Sequence, residues 1–436
     1  MANIKITDLA AYTNPDSTDV LPIVDVGADV TKKVSVGEVV GKITGDVDVA
    51  TDGTSSIAAG AIVDGDVNAS AAIAGTKIDP DFGSQTVETT GTVSAGTLEA
   101  TSAYKIIKGF NRRPPLHRGP LFYKTAALTV SIAADSALNG FFYSTATAVT
   151  MPGSFSNNVD YAIWQHPTTG ALVADASFTS APAGATGGSI VGGFHHIPSG
   201  RPTAVNSGSP TAAAEILEYS IWDLTWRPTC PDPRGMTCVD GRFWCDLYLC
   251  GSTSYAGSDF TAVPSSKIGL TIADENNPPL VPAIYGGDGA TAYSLVDSKE
   301  AGSWYDFAEV ASSFGKRLIS WLEFQHAAFG GPENGSRGSD PGTVIWERAS
   351  LWGLAQSTGT LWSWGSDVQG NTGGGWTSAT GDRGDVFQSG YSAVLPGGSW
   401  GNGSSSGSRC AYWLYAPSVA SASFSARFAA GHLVTC

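Results

Sequence analysis

Charge is scarce in this 436-residue chain: Asp, Glu, Lys and Arg make up only 14%, against about 25% in an ordinary soluble domain. Positive charge is scarcer still. With 24 Lys and Arg against 39 Asp and Glu, the net charge is −15, so the electrostatic footprint that grips nucleic-acid phosphates or an anionic membrane is missing. No apolar run approaches the ~20 residues that span a bilayer. Asp8, Asp16 and Asp19 stand where a secretory leader needs a basic stretch and then an apolar one, so neither membrane insertion nor a leader is expected. Large side chains are missing from the start of the chain: residues 1–100 hold no Trp and no Cys, and Tyr12 and Phe82 are their only aromatics.

What is abundant is glycine, 54 residues, with Ser, Thr and Ala. That balance predicts close-packed β structure with tight turns and excludes a helical bundle. Residues 1–100 carry fifteen acidic residues against five lysines and no arginine. They have too little bulky apolar surface to offset the ordering entropy of a private core. Their β-branched residues, Val47, Val49, Ile57, Ile62, Val63, Val67, Ile73 and Ile78, alternate with Gly, Asp and Ala, a pattern suited to strands that share a core with sister chains. An oligomeric stem is expected.

From about residue 106 the chain gains core-sized aromatics, Phe110, Phe122, Tyr123, Phe141, Phe142, Tyr143, Tyr161 and Trp164. Runs at Leu128–Ile132 and Tyr161–Gln165 read as strands, and Pro167–Gly170 as a hairpin loop before Ala171–Ala174. This predicts a small all-β module over 106–205, closed by the Pro-, Gly- and Ser-rich stretch Pro198–Pro210. Beyond Ser220 lie twelve of the 13 tryptophans and all six cysteines. Two helices are legible there. Trp304, Phe307, Ala308, Ala311 and Phe314 fall at helical spacing behind a Ser303/Asp306 capping box, with Gly315 as the stop. Ser320 and Glu323 open the second, which buries Trp321, Phe324, Ala327 and Ala328. Loops and short strands follow, so residues 206–436 are expected to form an α+β domain.

Four ordered motifs in that domain resemble the formylglycine-generating-enzyme-like branch of the C-type lectin fold. Phe314-Gly315-Lys316-Arg317-Leu318 with Trp321-Leu322-Glu323-Phe324 matches the family's GKRLPTEAEWE segment, with Ile319 replacing the proline. Gly353-Leu354 followed by Gly359-Thr360-Leu361-Trp362-Ser363-Trp364 takes the place of GL…GNVWEW. Gly397-Gly398-Ser399-Trp400 is the family's GGSW, and Arg409-Cys410-Ala411 with Ala426-Arg427-Phe428 stands near its closing GFR. Enzymatic members need two thiols shortly after GGS, or three iron-binding histidines. Residues Trp400–Ser408 contain no thiol, and the six histidines show no such spacing. The adjacent His195 and His196 point to opposite faces of a strand and cannot readily share a metal. A non-enzymatic domain with no cofactor is therefore expected.

The resemblance is closest to tropism-determinant and retroelement-diversified proteins of phages, in which the segment after GGSW carries variable surface positions on a constant backbone. It implies a receptor-binding tip here, with ligand-binding residues Tyr412, Leu414, Tyr415, Val419, Ser421 and Ser423, extended by Asn402, Trp376 and Tyr391. Trp413 and Phe424 are assigned to the core. Tyr, Leu and Ser combine rigid contact area with adaptable hydrogen bonding. At the other end, Ile6-Thr7-Asp8-Leu9, Leu21-Pro22-Ile23-Val24-Asp25 and Ala72–Gln85 resemble the start and stem of cyanophage tail fibres. The implied layout is a virion attachment region over 1–45, a trimeric stem over 46–105, the all-β module over 106–205 and a C-type lectin-like domain over 206–436. The expected partners are a host surface glycan or protein, other tail proteins and two sister chains, and the place is the virion tail. The alternatives are a depolymerase that cuts envelope polysaccharide and a structural tail protein that meets another virion protein.

Two chemical questions stay open at this level. Cys230, Cys238, Cys245 and Cys250 crowd one region without a CxxC pair; disulfides or buried free thiols both fit, and Cys436 has Cys410 as a possible mate. Asp367, Asp382 and Asp385, or Asp274 with Glu275, Asn276 and Asn277, are candidate oxygen ligands for calcium.

Overall fold

The computed structural model describes residues 119–433 apart from residue 200 and the segments 203–212, 254–268, 295–300, 371–375, 379–384 and 388–390, with residue 111 and five short strands before 119. Two compact units result, Met1–Gly96 and Thr97–Cys436. In the first unit, Val20–Asp25 pairs antiparallel with Val30–Ser35, and Val47–Val49 with Ser55–Ile57. The Ala72–Gln85 motif, Asp382 and Cys436 lie outside the described residues.

In the second unit the expected β module forms around Val159–Gln165. That strand lies between Leu172–Asp175, which returns through the anticipated loop, and Ser189–Ile197. Phe122–Ala126 and Thr129–Ile132 make a hairpin that pairs on with Thr147–Ala148. Leu121, Phe122, Val130, Ile132, Phe141, Tyr143, Tyr161, Ile163 and Phe194 fill one core. The sheet runs past residue 205, where composition puts the boundary: Glu215–Ile216 and Trp222–Asp223 both pair with Ser189–Ile197. Gly192 and Gly193 permit this. A Cβ on Gly193 would stand 2.8 Å from the Trp222 ring, and one on Gly192 2.7 Å from Phe122.

The remainder is α+β. Met236–Val239, Phe243–Asp246, Phe428–Gly431 and Arg317–Leu318 form a four-stranded antiparallel sheet in that order. Phe243–Asp246 is buried at every position. It is therefore covered on both faces, and it ends before Leu247. Both expected helices are present, α1 at Trp304–Ser313 and α2 at Trp321–Ala327, each with its capping box. Ser303 N donates to Asp306 at 2.9 Å; Glu323 N donates to Ser320 Oγ at 3.2 Å. The parallel pair Trp362–Trp364 and Phe424–Ala426 and the antiparallel pair Leu395–Gly397 and Gly407–Tyr412 carry the chain end across the domain.

Two charged residues of the motifs, Lys316 and Arg427, are framework. The Lys316 ammonium sits 2.6 Å from Asp246, both side chains 4% exposed. Burial opposes the charge on Lys316, but the adjacent carboxylate outweighs it and raises the ammonium's pKa. Arg427, also buried, donates to the Asp246 carbonyl at 2.9 Å and the Ala355 carbonyl at 2.5 Å. Among the described cysteines none forms a disulfide; Cys230, Cys238, Cys245 and Cys250 are buried thiols and Cys410 is a half-buried one. Burial pushes Cys230 up to about 11 and Cys238 up to about 12, so these sulfurs behave as small apolar groups.

Candidate functional site

Gly397 and Gly398 have φ of 96° and 85°, a region that favours glycine. A Cβ on Gly398 would come within 2.4 Å of Ser406 Oγ. This turn starts the return toward Gly407–Tyr412, whose far end opens the loop 413–423. Three backbone bonds fix that loop to three different elements. Ala393 N donates to Tyr415 O at 3.1 Å, Trp304 N to Pro417 O at 3.1 Å, and Trp362 N to Ser423 O at 2.9 Å. The path is held by main-chain groups that any side chain leaves intact.

On this frame runs a row of rings. Tyr412 stacks on Trp362 at 5.6 Å, Tyr415 lies 5.4 Å from Tyr412 and 5.1 Å from Phe424, and Phe424 meets Trp364 at 5.3 Å. Exposure rises outward along it: Phe424 is buried, Tyr415 partly so, Tyr412 is 36% exposed and Leu414 is 68% exposed. Val419 also packs half-buried on the core. Ser421 and Ser423 are half-buried with their hydroxyls 3.0 Å apart. The six residues from Tyr412 to Ser423 thus share one loop and its leading strand, with Leu414 and Tyr412 outermost.

The three outlying candidates behave differently. The Asn402 carboxamide oxygen accepts from Ser399 N at 2.8 Å and Ser399 Oγ at 2.6 Å, so it closes the turn after GGSW. Tyr391 is half-buried, its hydroxyl 3.0 Å from that of Tyr305, although its strand Tyr391–Ala393 reaches the loop through Ala393. Trp376 lies in a short strand paired with Phe387.

A neighbour of the loop escapes the motif reading. Trp413, assigned to the core, is only half-buried and meets Trp321 edge-on at 6.1 Å. The next residue on α2, Leu322, is 67% exposed. Helical spacing carried the signal, because Leu322 falls off the Phe324/Ala327/Ala328 face.

Four of the groups that invited metal or catalytic readings make bonds within the fold. Asp367 accepts from the Trp321 amide at 2.6 Å, at the start of α2. Asp274 accepts from the Asn277 amide at 2.8 Å. His195 lies 3.1 Å from Asp160 and 3.0 Å from the Tyr248 hydroxyl, all buried. His196 stacks on Phe155 instead, with Nδ1 3.0 Å from the Ser156 carbonyl. The two imidazoles thus have separate surroundings, as strand geometry requires.

The chain is similar to proteins of known sequence and structure. Residues 120–223 match the model of the Mtd second domain. The tail fiber receptor-binding protein of Bordetella phage BPP-1 is 40% identical over 331 residues, which cover 72% of this chain and 82% of that protein. The solved M1 variant of the Major Tropism Determinant superposes with a TM-score of 0.66 at 39% identity, covering 73% of this chain and 85% of that one. The U1 variant gives 0.67 at 38% identity, covering 75% and 87%.

Proposed function

The chain belongs to the family of phage tail-fibre receptor-binding proteins that includes the Major Tropism Determinants, and from that premise we propose that its C-terminal loop is the surface that meets the host. The protein is a component of the virion tail and attaches the particle to the host cell. Its lectin-like domain binds a surface glycan or protein without chemical turnover, through Tyr412 and Leu414 with Tyr415, Val419, Ser421 and Ser423 behind them. Residues 1–45 attach it to the tail, and residues 46–105 assemble three chains so that three modest contacts act together by avidity.

One observation carries the reading: a 68% exposed leucine beside a ring-stacked tyrosine, on a loop whose backbone is bonded to three elements. Large apolar side chains held rigid at the surface bind at low entropic cost. Purified full-length protein should compete with virions for host cells. The Leu414→Glu variant should lose that competition while its melting temperature stays unchanged. Undiminished competition by Leu414→Glu would place the receptor contact elsewhere.

A further inference from the structure

No residue of the loop 413–423 lines the concavity where the β module meets the lectin-like domain. A cavity of about 840 Å³ opens there, with Tyr123, Tyr219, Trp226 and Trp352 among its walls. Its floor is hydrophobic and closed, because Phe122 and Ile221 are buried. Mostly apolar concavities with a few placed polar groups are the usual form of small-ligand sites.

The walls are fixed before any ligand arrives. Buried Asp223 accepts from the Leu121 amide on one side of the cavity, and from Thr225 N at 2.6 Å and Trp226 N at 2.9 Å on the other. One carboxylate thereby ties the Tyr123 wall to the Trp226 wall. Trp352 packs on Tyr219 at 4.6 Å, and its carbonyl accepts from Thr237 Oγ1 at 2.7 Å. Asp240 and Gly241, with φ of 50° and 65°, lead the three-residue hairpin loop at the rim, whose Arg242 amide donates to the Val239 carbonyl at 3.0 Å, a left-handed pair that an Asp-Gly sequence supplies.

Charge at the rim comes in pairs. Glu218 sits 3.0 Å from Arg201, Asp240 3.1 Å from Arg242, and Lys124 is bonded to Glu215. Of these, Lys124, Glu218 and Asp240 line the cavity, so its rim offers an ammonium donor and carboxylate acceptors with little net charge. Aromatic faces for C–H groups, beside paired donors and acceptors for hydroxyls, suit an uncharged saccharide, whereas an anionic sugar would find no unpaired cation among these groups.

We propose that this cavity is a saccharide-binding site for neutral glycans, separate from the receptor contact of the C-terminal loop. The test uses full-length protein with maltotetraose and chitotetraose as neutral probes, and 3′-sialyllactose against lactose for charge. Titration calorimetry and tryptophan fluorescence report binding. At least one neutral tetrasaccharide should bind. Tyr123→Ala, whose ring is 39% exposed, should weaken it about tenfold, a typical loss for an aromatic contact. The melting temperature and competition for host cells should be retained. Trp352→Ala, checked for folding by circular dichroism, should weaken it further. No binding by either probe, binding insensitive to Tyr123→Ala, or tighter binding of sialyllactose than lactose would overturn the proposal. So would a change in oligomeric mass with Tyr123→Ala, which would assign the cavity to another copy of the chain.

Discussion

Within the tryptophan-dense half, two sets of residues differ in kind. Lys316, Asp246 and Arg427 are buried charges joined by short bonds. Leu414 and Tyr412 are exposed and bear on the frame only through ring contacts and main chain. The motif residues that reveal the family belong to the first set; the residues that would meet a host belong to the second. A scaffold of this kind is recognisable because its interior is constrained, and adaptable because main-chain bonds to three elements fix the path of its surface loop.

The largest effect should come from breaking the interior. Lys316→Met strands the Asp246 carboxylate in a buried site and should cost about 3–5 kcal/mol, the usual penalty for removing one partner of a buried pair. Chemical denaturation would measure it. The double variant Lys316→Met with Asp246→Leu should recover part of the loss, since no carboxylate is stranded and only the Arg427 guanidinium, bonded to two backbone carbonyls, stays charged. A single-variant cost near zero would mean that the interior is as permissive as the loop, and the contrast between the two sets would fail.

A smaller effect separates the two helices, which share a capping box but not its electrostatics. At α2, burial raises the Glu323 pKa, but the Arg317 guanidinium at 2.6 and 2.5 Å and the Ser320 amide outweigh it and hold the carboxyl below the usual range. At α1, burial prevails and pushes Asp306 up to about 6, despite its bonds from Ser303. The folded state therefore binds that proton more tightly than the unfolded chain, whose value is near 3.9. The stability this gives is complete below about pH 4 and is lost as pH rises through 6. Asp306→Asn should remove a component on the order of 2–3 kcal/mol from the difference between pH 4 and pH 7, read from denaturation curves of both proteins. Equal pH slopes would overturn the assignment.

Much of the frame is legible in the sequence because its signals are local. Ser303 with Asp306 and Ser320 with Glu323 announce both helices, and the turn residues 167–170 announce a hairpin. What was not legible depends on distant partners. Nothing near Asn402 indicates that its side chain closes a turn, and nothing near Tyr391 names Tyr305 as its partner 86 residues away. The boundary at 205 fails for a similar reason: a Pro- and Gly-rich stretch reads as a linker, yet the glycines that admit Trp222 to the sheet are 192 and 193. The cavity at the junction was hidden because its walls come from segments more than 200 residues apart. Only the Asp240-Gly241 turn at its rim carried a local signal.

The smallest effect on stability should come from the loop itself, where the two outermost residues separate the most cleanly. Tyr412 stacks on Trp362 and touches Tyr415, so Tyr412→Ala removes a frame contact worth about 0.5–1.5 kcal/mol along with any receptor contact. Leu414 is 68% exposed, and Leu414→Ala should leave stability within about 0.5 kcal/mol, as for surface sites generally. Its effect on attachment should nevertheless be about tenfold or more, because an exposed apolar anchor loses its buried area on binding. Thermal melts and adsorption measurements on the two variants place them on separate axes, Tyr412 moving both quantities and Leu414 only attachment. If Leu414→Ala lowers the melting temperature as Tyr412→Ala does, the leucine is part of the frame, and the surface that meets the host must be sought along Trp321 and Leu322 on α2.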